Sequence, residues 1–327
     1  MSTDRSTVRF HSIFAPLLEK FIQEKRACGY RYDEGTRILG HFDGFLSGNE
    51  LRSTELPRTL TRQFLSKRAH ESTGTHRHRI TIIRQFATFL RRLGYSAYVP
   101  DLTRVARERS SFTPRILTQK EIRTLLQAAD QLVPMAGSPL RHLIMPEIFR
   151  LLYGCGLRLG EVLNLQVRDV DLNQGVLTVR QGKFRKDRLV PPAPSLVIRL
   201  RKYAARLGNR PPDAFFFPAP SGGPYKIWSI YTVFRKLLLE CGIAHAGRGK
   251  GPRIHDARHA FAVYTLLRWY RDGADLDAKL PLLATYLGHK NLSGTQKYLH
   301  LTAELFPEII AQVNVAFGDV IPRRIRP

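Results

Sequence analysis

Apolar residues recur every three to four positions through the first hundred residues, which is the spacing of amphipathic helices. The stripes predict helices over residues 14–22, 36–46, 60–69 and 75–93. The fourth segment also carries Arg77, Arg79 and Arg84 near its start. A helix N-terminus favours anions, so we predict that these arginines contact phosphate, the alternative being a solvated polar face.

The periodicity is lost over residues 96–114, and a capping-box pattern at Thr118–Glu121 then marks a new helix. The second half mixes element types. A helical pattern over 145–165 is interrupted at Gly154–Gly156, and short β-branched runs predict strands around a basic turn. The predicted strands span 176–180 and 188–190, and further helices span 194–207, 228–241, 256–271, 279–287 and 302–316.

These patterns predict a mainly α protein with a small β-hairpin, an α+β fold. We expect a helical N-terminal domain at 1–103, a basic linker at 104–115, and a mixed C-terminal domain at 116–327. Its 327 residues are enough for two domains with hydrophobic cores of their own.

The charge adds a class of partner. The chain has 52 Lys and Arg against 27 Asp and Glu, a net charge of +25. Residues 1–50 are neutral, with seven charges of each sign, whereas residues 51–110 carry 13 basic and 4 acidic side chains. Net charge alone does not separate DNA from RNA or an anionic membrane. Positive charge in both halves of the chain favours a protein that wraps a duplex.

Other classes of protein are disfavoured. No run of eighteen apolar residues predicts a membrane span, and the polar N-terminus has no signal-peptide core. The three cysteines, Cys28, Cys155 and Cys241, are isolated, which argues against a disulfide framework or a zinc cluster. We therefore expect a cytoplasmic, nucleoid-associated bacterial protein without contact to a membrane.

Several residues could act on a phosphodiester. Arg158 follows a glycine-rich turn, and His255 and Arg258 stand three positions apart, on one face of a helix. Guanidinium groups suit the charge that spreads over a phosphoryl transition state. We expect His259 to fall off that face and pack inside. Asp256 is expected to cap the same helix.

A nucleophile and an acid complete such a site. Tyr298 lies nine residues after His289 of a Leu-Gly-His sequence, and a phenol can attack phosphorus to give a phosphotyrosyl ester. Lys183, on the predicted turn between the strands, could protonate the leaving oxygen, and Lys186 competes for that role. Alternatively, this basic hairpin, with Lys186 and Arg188, only contacts phosphates. The chain has twelve tyrosines, so the surrounding sequence alone selects Tyr298.

Together these sequences resemble the tyrosine recombinase, or phage integrase, family. The resemblance spans about residues 114–316 and rests on 154–165, Gly182-Lys183, 255–261, 287–289 and Tyr298. It implies a helical, SAM-like core-binding domain followed by a catalytic domain. The implied catalytic residues are Arg158, Lys183, His255, Arg258, His289 and the nucleophile Tyr298, with Glu161 in support.

The resemblance implies that Tyr298 cleaves double-stranded DNA, giving a 3′-phosphotyrosyl link that a 5′-hydroxyl later reverses. The enzyme would integrate, excise or transpose a mobile element, as a tetramer on paired sites, with other recombinases or accessory proteins of that element as further partners. No metal, cofactor or ATP is implied, since no cluster of carboxylates is present to hold magnesium. The alternatives are a type IB topoisomerase, a non-catalytic architectural DNA-binding protein and a metal-dependent nuclease.

Overall fold

The computed structural model describes residues 8–49, 51, 53–102, 114–180, 187–245, 247, 251–289, 291–292, 294–296 and 298. The chain divides into an N-terminal unit, Met1–Phe112, and a C-terminal unit, Thr113–Pro327. The expected linker at 104–115 and the expected helix at 302–316 fall almost entirely or entirely outside the described residues.

The described part of the N-terminal unit contains four helices, which confirms the number that the apolar stripes predict. They are α1 (Ala15–Ala27), α2 (Asp33–Ser47), α3 (Arg58–Phe64) and α4 (Thr73–Arg92). The apolar stripe of α4 packs against α1 and α2. Phe21 of α1 lies between two rings of α4, with its centroid 5.6 Å from Phe86 and 5.2 Å from Phe89.

Helix α3 ends at Phe64, five residues before its predicted end. Arg79 of α4 supplies the reason, because its guanidinium donates to the carbonyl oxygens of Phe64 and Ser66, the latter at 2.9 Å. It also forms an ion pair with Glu71, 2.7 Å from Nη2 to Oε2. Arg79 is 5% exposed. The prediction that it contacts phosphate is therefore wrong for this structure, since its donors are already used inside the fold.

The described part of the C-terminal unit combines seven α-helices with one three-stranded sheet. The helices are α5 (Gln119–Asp130), α6 (Arg141–Gly154), α7 (Leu159–Leu163), α8 (Pro194–Leu207), α9 (Ile227–Glu240), α10 (Ile254–Arg271) and α11 (Leu276–Leu287). The predicted capping box is confirmed: the Thr118 hydroxyl accepts from the Glu121 amide at 3.2 Å, and the Glu121 carboxylate accepts from the Thr118 amide at 2.8 Å.

The sheet is antiparallel, in the order β1 (Val170–Asp171), β2 (Val176–Val179) and β3 (Arg188–Val190). Strand β1 was not predicted, because two residues are too few to show an alternating pattern. Helix α6 lies at the centre of the unit and contacts α5, α8 and α10. The mainly α fold with a small sheet is thus confirmed.

None of the helices in the described ranges is both long enough and apolar enough to cross a membrane.

We expect Arg79→Ala to destabilise the N-terminal unit, because it leaves the nearly buried Glu71 carboxylate without its partner. Breaking a buried ion pair costs about 3–5 kcal/mol, so amide hydrogen exchange in α1, α2 and α4 should accelerate by about a hundredfold or more. Arg91→Ala, an exposed arginine of the same helix, is the matched control and should change exchange little. Equal effects of the two variants would contradict the structural role of Arg79.

Candidate active site

A glycine turn joins α6 to α7 and lets two other helices approach closely. Gly156 has a φ of +58°, a conformation that side chains disfavour. A Cβ atom there would lie 2.6 Å from the Phe261 ring of α10 and 2.8 Å from Leu287 of α11. Glycine at this position therefore brings Arg158, at the start of α7, up against α10 and α11.

Helix α11 ends at Leu287 and is followed by Gly288, whose φ is +67°. Three successive carbonyl groups at this end each accept a hydrogen bond from a different arginine. The pairs are Arg188 Nε to Tyr286 O at 2.8 Å, Arg258 Nη2 to Leu287 O at 2.7 Å, and Arg158 Nη2 to Gly288 O at 3.1 Å. We call these three side chains the α11 arginine cluster. Carbonyl groups at a helix C-terminus lack partners within the helix and carry partial negative charge, so they suit cations.

Glu161 joins two arginines of the cluster. Its carboxylate accepts from Arg188 Nη1 at 3.0 Å and Nη2 at 2.8 Å, and from Arg158 Nη1 at 2.7 Å. Burial opposes the charge of this carboxylate, but the hydrogen bonds from Arg188 and Arg158 outweigh it and lower the pKa of Glu161 to about 2. Glu161 thus holds Arg158 in place, which fits the supporting role that the resemblance implies.

Arg188 differs from its predicted role as a phosphate contact. Its side chain is only 9% exposed and is held by Glu161 and by the carbonyl group of Tyr286. Instead, its contacts join β3, to which Arg188 belongs, to α7 and α11. The sequence did not indicate this, because neither partner is near Arg188 in the chain.

Arg258 is the most deeply placed cation of the site, at 1% exposure. Its Nη1 donates to the carbonyl group of Gly156 at 2.7 Å, in addition to the bond from Nη2 to Leu287. Burial, and then the positive charge of Arg158, lower the pKa of Arg258 to about 10. The guanidinium remains charged at neutral pH. Arg158 keeps more of its side chain exposed, at 22%, so the pair presents positive charge at the surface.

The two predicted histidines lie in the same field of positive charge. Burial lowers the pKa of His289 and that of His255 to about 4, and Arg258 and Arg158 contribute further in both cases. Both rings are therefore neutral at pH 7. The Nδ1 atom of His289 lies 2.7 Å from the hydroxyl oxygen of Thr295, a fully buried residue that the sequence analysis did not select.

Tyr298 is enclosed by these groups, with 4% of its surface exposed. Its ring centroid lies 6.1 Å from that of His289, and its hydroxyl oxygen lies 3.1 Å from Nδ1 of His259. Burial raises the pKa of the Tyr298 phenol, whereas the charge of Arg258 and a hydrogen bond from it act in the opposite direction. The expectation that His259 falls off the face of α10 that carries His255 is wrong, since the two ring centroids lie 4.7 Å apart and the His259 ring contacts the predicted nucleophile.

The structure therefore brings Arg158, His255, Arg258 and His289 into one site with Tyr298. Asp256 caps α10 as predicted, because its carboxylate accepts from the Arg253 amide at 2.8 Å. Lys183 and Lys186 lie outside the described residues. The other two predicted phosphate contacts belong to the N-terminal unit and are partly buried: Arg77 Nη1 donates to the Leu102 carbonyl at 3.3 Å, and Arg84 Nη1 to that of Pro100 at 2.5 Å.

Sequence reasoning missed His259 and Thr295 as neighbours of the reacting groups. A signal for each was present in the spacing. His259 follows His255 by four residues on α10, and Thr295 precedes Tyr298 by three, so each stands one helical turn from a residue that was selected.

Known proteins are similar to this chain in sequence and in fold. The model of the phage integrase family matches residues 115–304. The protein y4rE of Sinorhizobium fredii, whose assignment as an integrase or recombinase is provisional, is 36% identical over 88% of this chain and 92% of its own. The tyrosine recombinase XerD of Pseudomonas putida is 31% identical over 90% of this chain and 93% of its own.

A solved structure of the site-specific recombinase XerH, bound to its palindromic difH substrate, matches 90% of this chain and 83% of its own. The TM-score is 0.62 at 19% identity, which shows a shared fold. The family match covers more than half of the chain, and it contains Tyr298 and the arginines and histidines of the site. The chain therefore belongs to the phage integrase family and is a tyrosine recombinase.

Proposed function

We propose that this recombinase cleaves and rejoins double-stranded DNA at specific sites through a 3′-phosphotyrosyl intermediate. The observation that carries the proposal is the position of Tyr298, which lies against His259 and His289 in the field of Arg258 and Arg158, with no carboxylate among the hydrogen-bond partners of its hydroxyl group in the described residues. Such a site suits a phenol that attacks an anionic phosphodiester.

Arg158 and Arg258 would bind the non-bridging oxygens of the scissile phosphate and stabilise the charge that develops there. Both guanidinium groups are fixed before DNA arrives by carbonyl acceptors at the end of α11, so little reorganisation is needed during the reaction. His255 and His289 are neutral and would donate N–H hydrogen bonds to the same phosphate.

Lys183 is the proposed general acid, which protonates the 5′ oxygen as the phosphorus–oxygen bond breaks. The 5′-hydroxyl of a partner duplex would then attack the phosphotyrosyl ester, release Tyr298 and exchange the strands. The ester keeps the energy of the original bond, so rejoining needs no ATP.

We also propose the partners of this recombinase, which are duplex DNA and further copies of the protein. Duplex DNA is supported by the net charge of +25 and by the palindromic difH substrate bound in the XerH structure, whose fold this chain shares. In the N-terminal unit, Arg77 and Arg84 are the proposed phosphate contacts, and Lys186 is proposed to contact phosphate from the C-terminal unit. The family resemblance supports a tetramer on paired sites, and integration, excision or transposition of a mobile element as the biological event.

Tyr298→Phe should abolish covalent attachment to DNA while leaving DNA affinity unchanged, because only the nucleophilic oxygen is lost. The substrates are duplexes selected from a random pool by binding to the protein. Each is prepared with a nick, placed at successive positions in different samples, so that the short strand released by cleavage diffuses away and the covalent adduct accumulates. Covalent protein–DNA adducts are then counted on a denaturing gel with EDTA present. Tyr264→Phe, which removes a hydroxyl group that donates to the Leu117 carbonyl, is the matched control and should form adducts normally.

The possible results separate the alternatives. Adducts that persist in Tyr298→Phe would assign the nucleophile elsewhere. Tight binding without any adduct from the wild-type protein would favour an architectural protein, and cleavage that EDTA abolishes would favour a metal-dependent nuclease. Relaxation of supercoiled DNA without strand exchange would favour a topoisomerase.

Glu161→Gln should slow adduct formation by about a hundredfold while leaving DNA affinity nearly unchanged, because a small displacement of a positioning group has costs of that order. The neutral amide would hold Arg158 and Arg188 less firmly than the carboxylate does. Glu240→Gln, which breaks an exposed ion pair with Lys236, is the matched control. A normal rate for Glu161→Gln would show that Arg158 is positioned without this charge.

The stability of the C-terminal unit should fall as the pH drops from about 6.5 towards 4. Unfolded histidine binds a proton near pH 6.5, whereas His255 and His289 in the folded unit resist protonation down to about pH 4. Protons therefore favour the unfolded state in this window. Urea unfolding followed by tryptophan fluorescence reports on this unit alone, since Trp228 and Trp269 both lie in it.

His289→Asn should show a shallower dependence on pH than the wild-type protein over the same window. Substitution of His142, a histidine on the surface of α6, should leave the dependence unchanged. A stability that is flat between pH 7 and 5 would mean that the histidines of the site take up protons in the folded unit as readily as in the unfolded chain.

A further inference from the structure

His259 is the side chain that contacts the reacting atom of Tyr298 directly. Its Nδ1 atom lies 3.1 Å from the phenolic oxygen, and the centroids of the two rings are 5.5 Å apart. The phenolic oxygen accepts from Arg258, which leaves the phenolic proton directed at His259, so we assign Nδ1 as the acceptor and the imidazole proton to Nε2. The nucleophile thus already points its proton at a basic nitrogen before DNA binds.

The surroundings keep this nitrogen free of a proton. Burial, together with nearby positive or titratable groups, lowers the pKa of His259 to about 3. These groups are His255, Arg253 and Arg258 on or next to α10, and His289 after α11. An imidazole that is unprotonated throughout the physiological range is always able to accept a hydrogen bond from the phenol.

Other neighbours of Tyr298 are less suited to accept its proton. His289 uses its Nδ1 atom towards Thr295, at 2.7 Å. Arg258 has donors only, and its charge stabilises a phenolate without removing the proton. His255 packs edge-on against His259, 4.7 Å between ring centroids, and makes no hydrogen bond to Tyr298 within the described part of the chain.

We propose that His259 is the general base that takes the phenolic proton of Tyr298 as this oxygen attacks the scissile phosphate. This inference rests on the proposed function. The bond from the phenolic oxygen to phosphorus forms, the bond from phosphorus to the 5′ oxygen breaks, and the 5′ oxygen receives its proton from Lys183. The phenolic proton moves to Nδ1 of His259 and returns to the tyrosine when the ester is reversed.

Phosphate binding makes His259 a stronger base at the right moment. In the protein without DNA, the arginines near His259 disfavour an imidazolium ion. A phosphate held by Arg158 and Arg258 neutralises part of that field, and the further negative charge of the transition state attracts the proton to His259. Activation of Tyr298 is therefore coupled to occupation of the site, which protects the free enzyme from unwanted attack.

The test measures the rate of adduct formation by His259→Asn on the nicked duplexes described above. The asparagine oxygen lies close to the position of Nδ1, so it preserves a hydrogen-bond acceptor for Tyr298 but does not take up a proton. General base catalysis contributes about 10²–10⁴-fold, and we expect a rate loss of that size with unchanged DNA affinity. His142→Asn, on the surface of α6, is the matched control and should cleave at the wild-type rate.

Two further readouts separate a base from a residue that only positions the phenol. In the DNA complex, where bound phosphate raises the pKa of His259, the logarithm of the wild-type rate should rise with pH to a plateau, and His259→Asn should lose that rise. A duplex with sulphur in place of the 5′ bridging oxygen has a leaving group that needs no proton, so it should rescue Lys183→Ala but not His259→Asn. Rescue of His259→Asn by this duplex would place its proton on the leaving group and overturn the proposal.

A near-normal rate for His259→Asn would also overturn it, because an acceptor without basicity would then suffice. In the protein without DNA, nitrogen NMR of the histidine rings should show Nδ1 of His259 unprotonated, and a protonated Nδ1 would contradict the proposal directly. The wild-type protein is measured on the same duplexes. Absence of adducts there would overturn the proposed function, whereas adducts with an unaffected His259→Asn variant would overturn only the role of His259.

Discussion

The end of helix α11 is the constraint on which the site depends. Three carbonyl groups with no partner inside their own helix hold three arginines that come from distant parts of the chain. Each arginine needs acceptors to lie beside other cations in a partly buried place, and each carbonyl group needs donors. The same hydrogen bonds satisfy the arginines and the carbonyl groups. The C-terminus of α11 therefore brings the positive charges of the site together.

The cost of gathering these cations is offset locally. Glu161 supplies a full negative charge to two of the arginines, and the carbonyl groups supply partial charges to all three. The remaining positive charge acts on the histidines and on Tyr298. Together with burial, which has the larger effect, it keeps His289 neutral, and it opposes the effect of burial on the pKa of the phenol. The resting site therefore keeps a net positive charge, part of which a phosphodiester would neutralise.

Much of this arrangement was predictable from local sequence. Periodic apolar residues predict the helices to within a few positions, and the order of Arg158, His255, Arg258, His289 and Tyr298 predicts a common site. What the sequence did not reveal depends on contacts between distant residues. The burial of Arg79 and Arg188 requires partners from other elements, and a basic residue in a basic chain gives no sign of which acceptor it will meet. The contact between His259 and Tyr298 depends on how the segment that carries Tyr298 packs against α10, which the sequence alone does not show.

The acceptors that hold the cluster belong to the backbone, and this affects how the protein can evolve. A carbonyl oxygen is present whatever residue occupies the position, so the side chains at 286 and 287 can drift, within the limits of packing, without removing an anchor. The residue that follows the helix has less freedom: a Cβ atom at Gly288 would lie 2.8 Å from Nη1 of Arg188. Of the three residues whose carbonyl groups hold the arginines, Gly288 is therefore the one at which we expect substitution to be least tolerated.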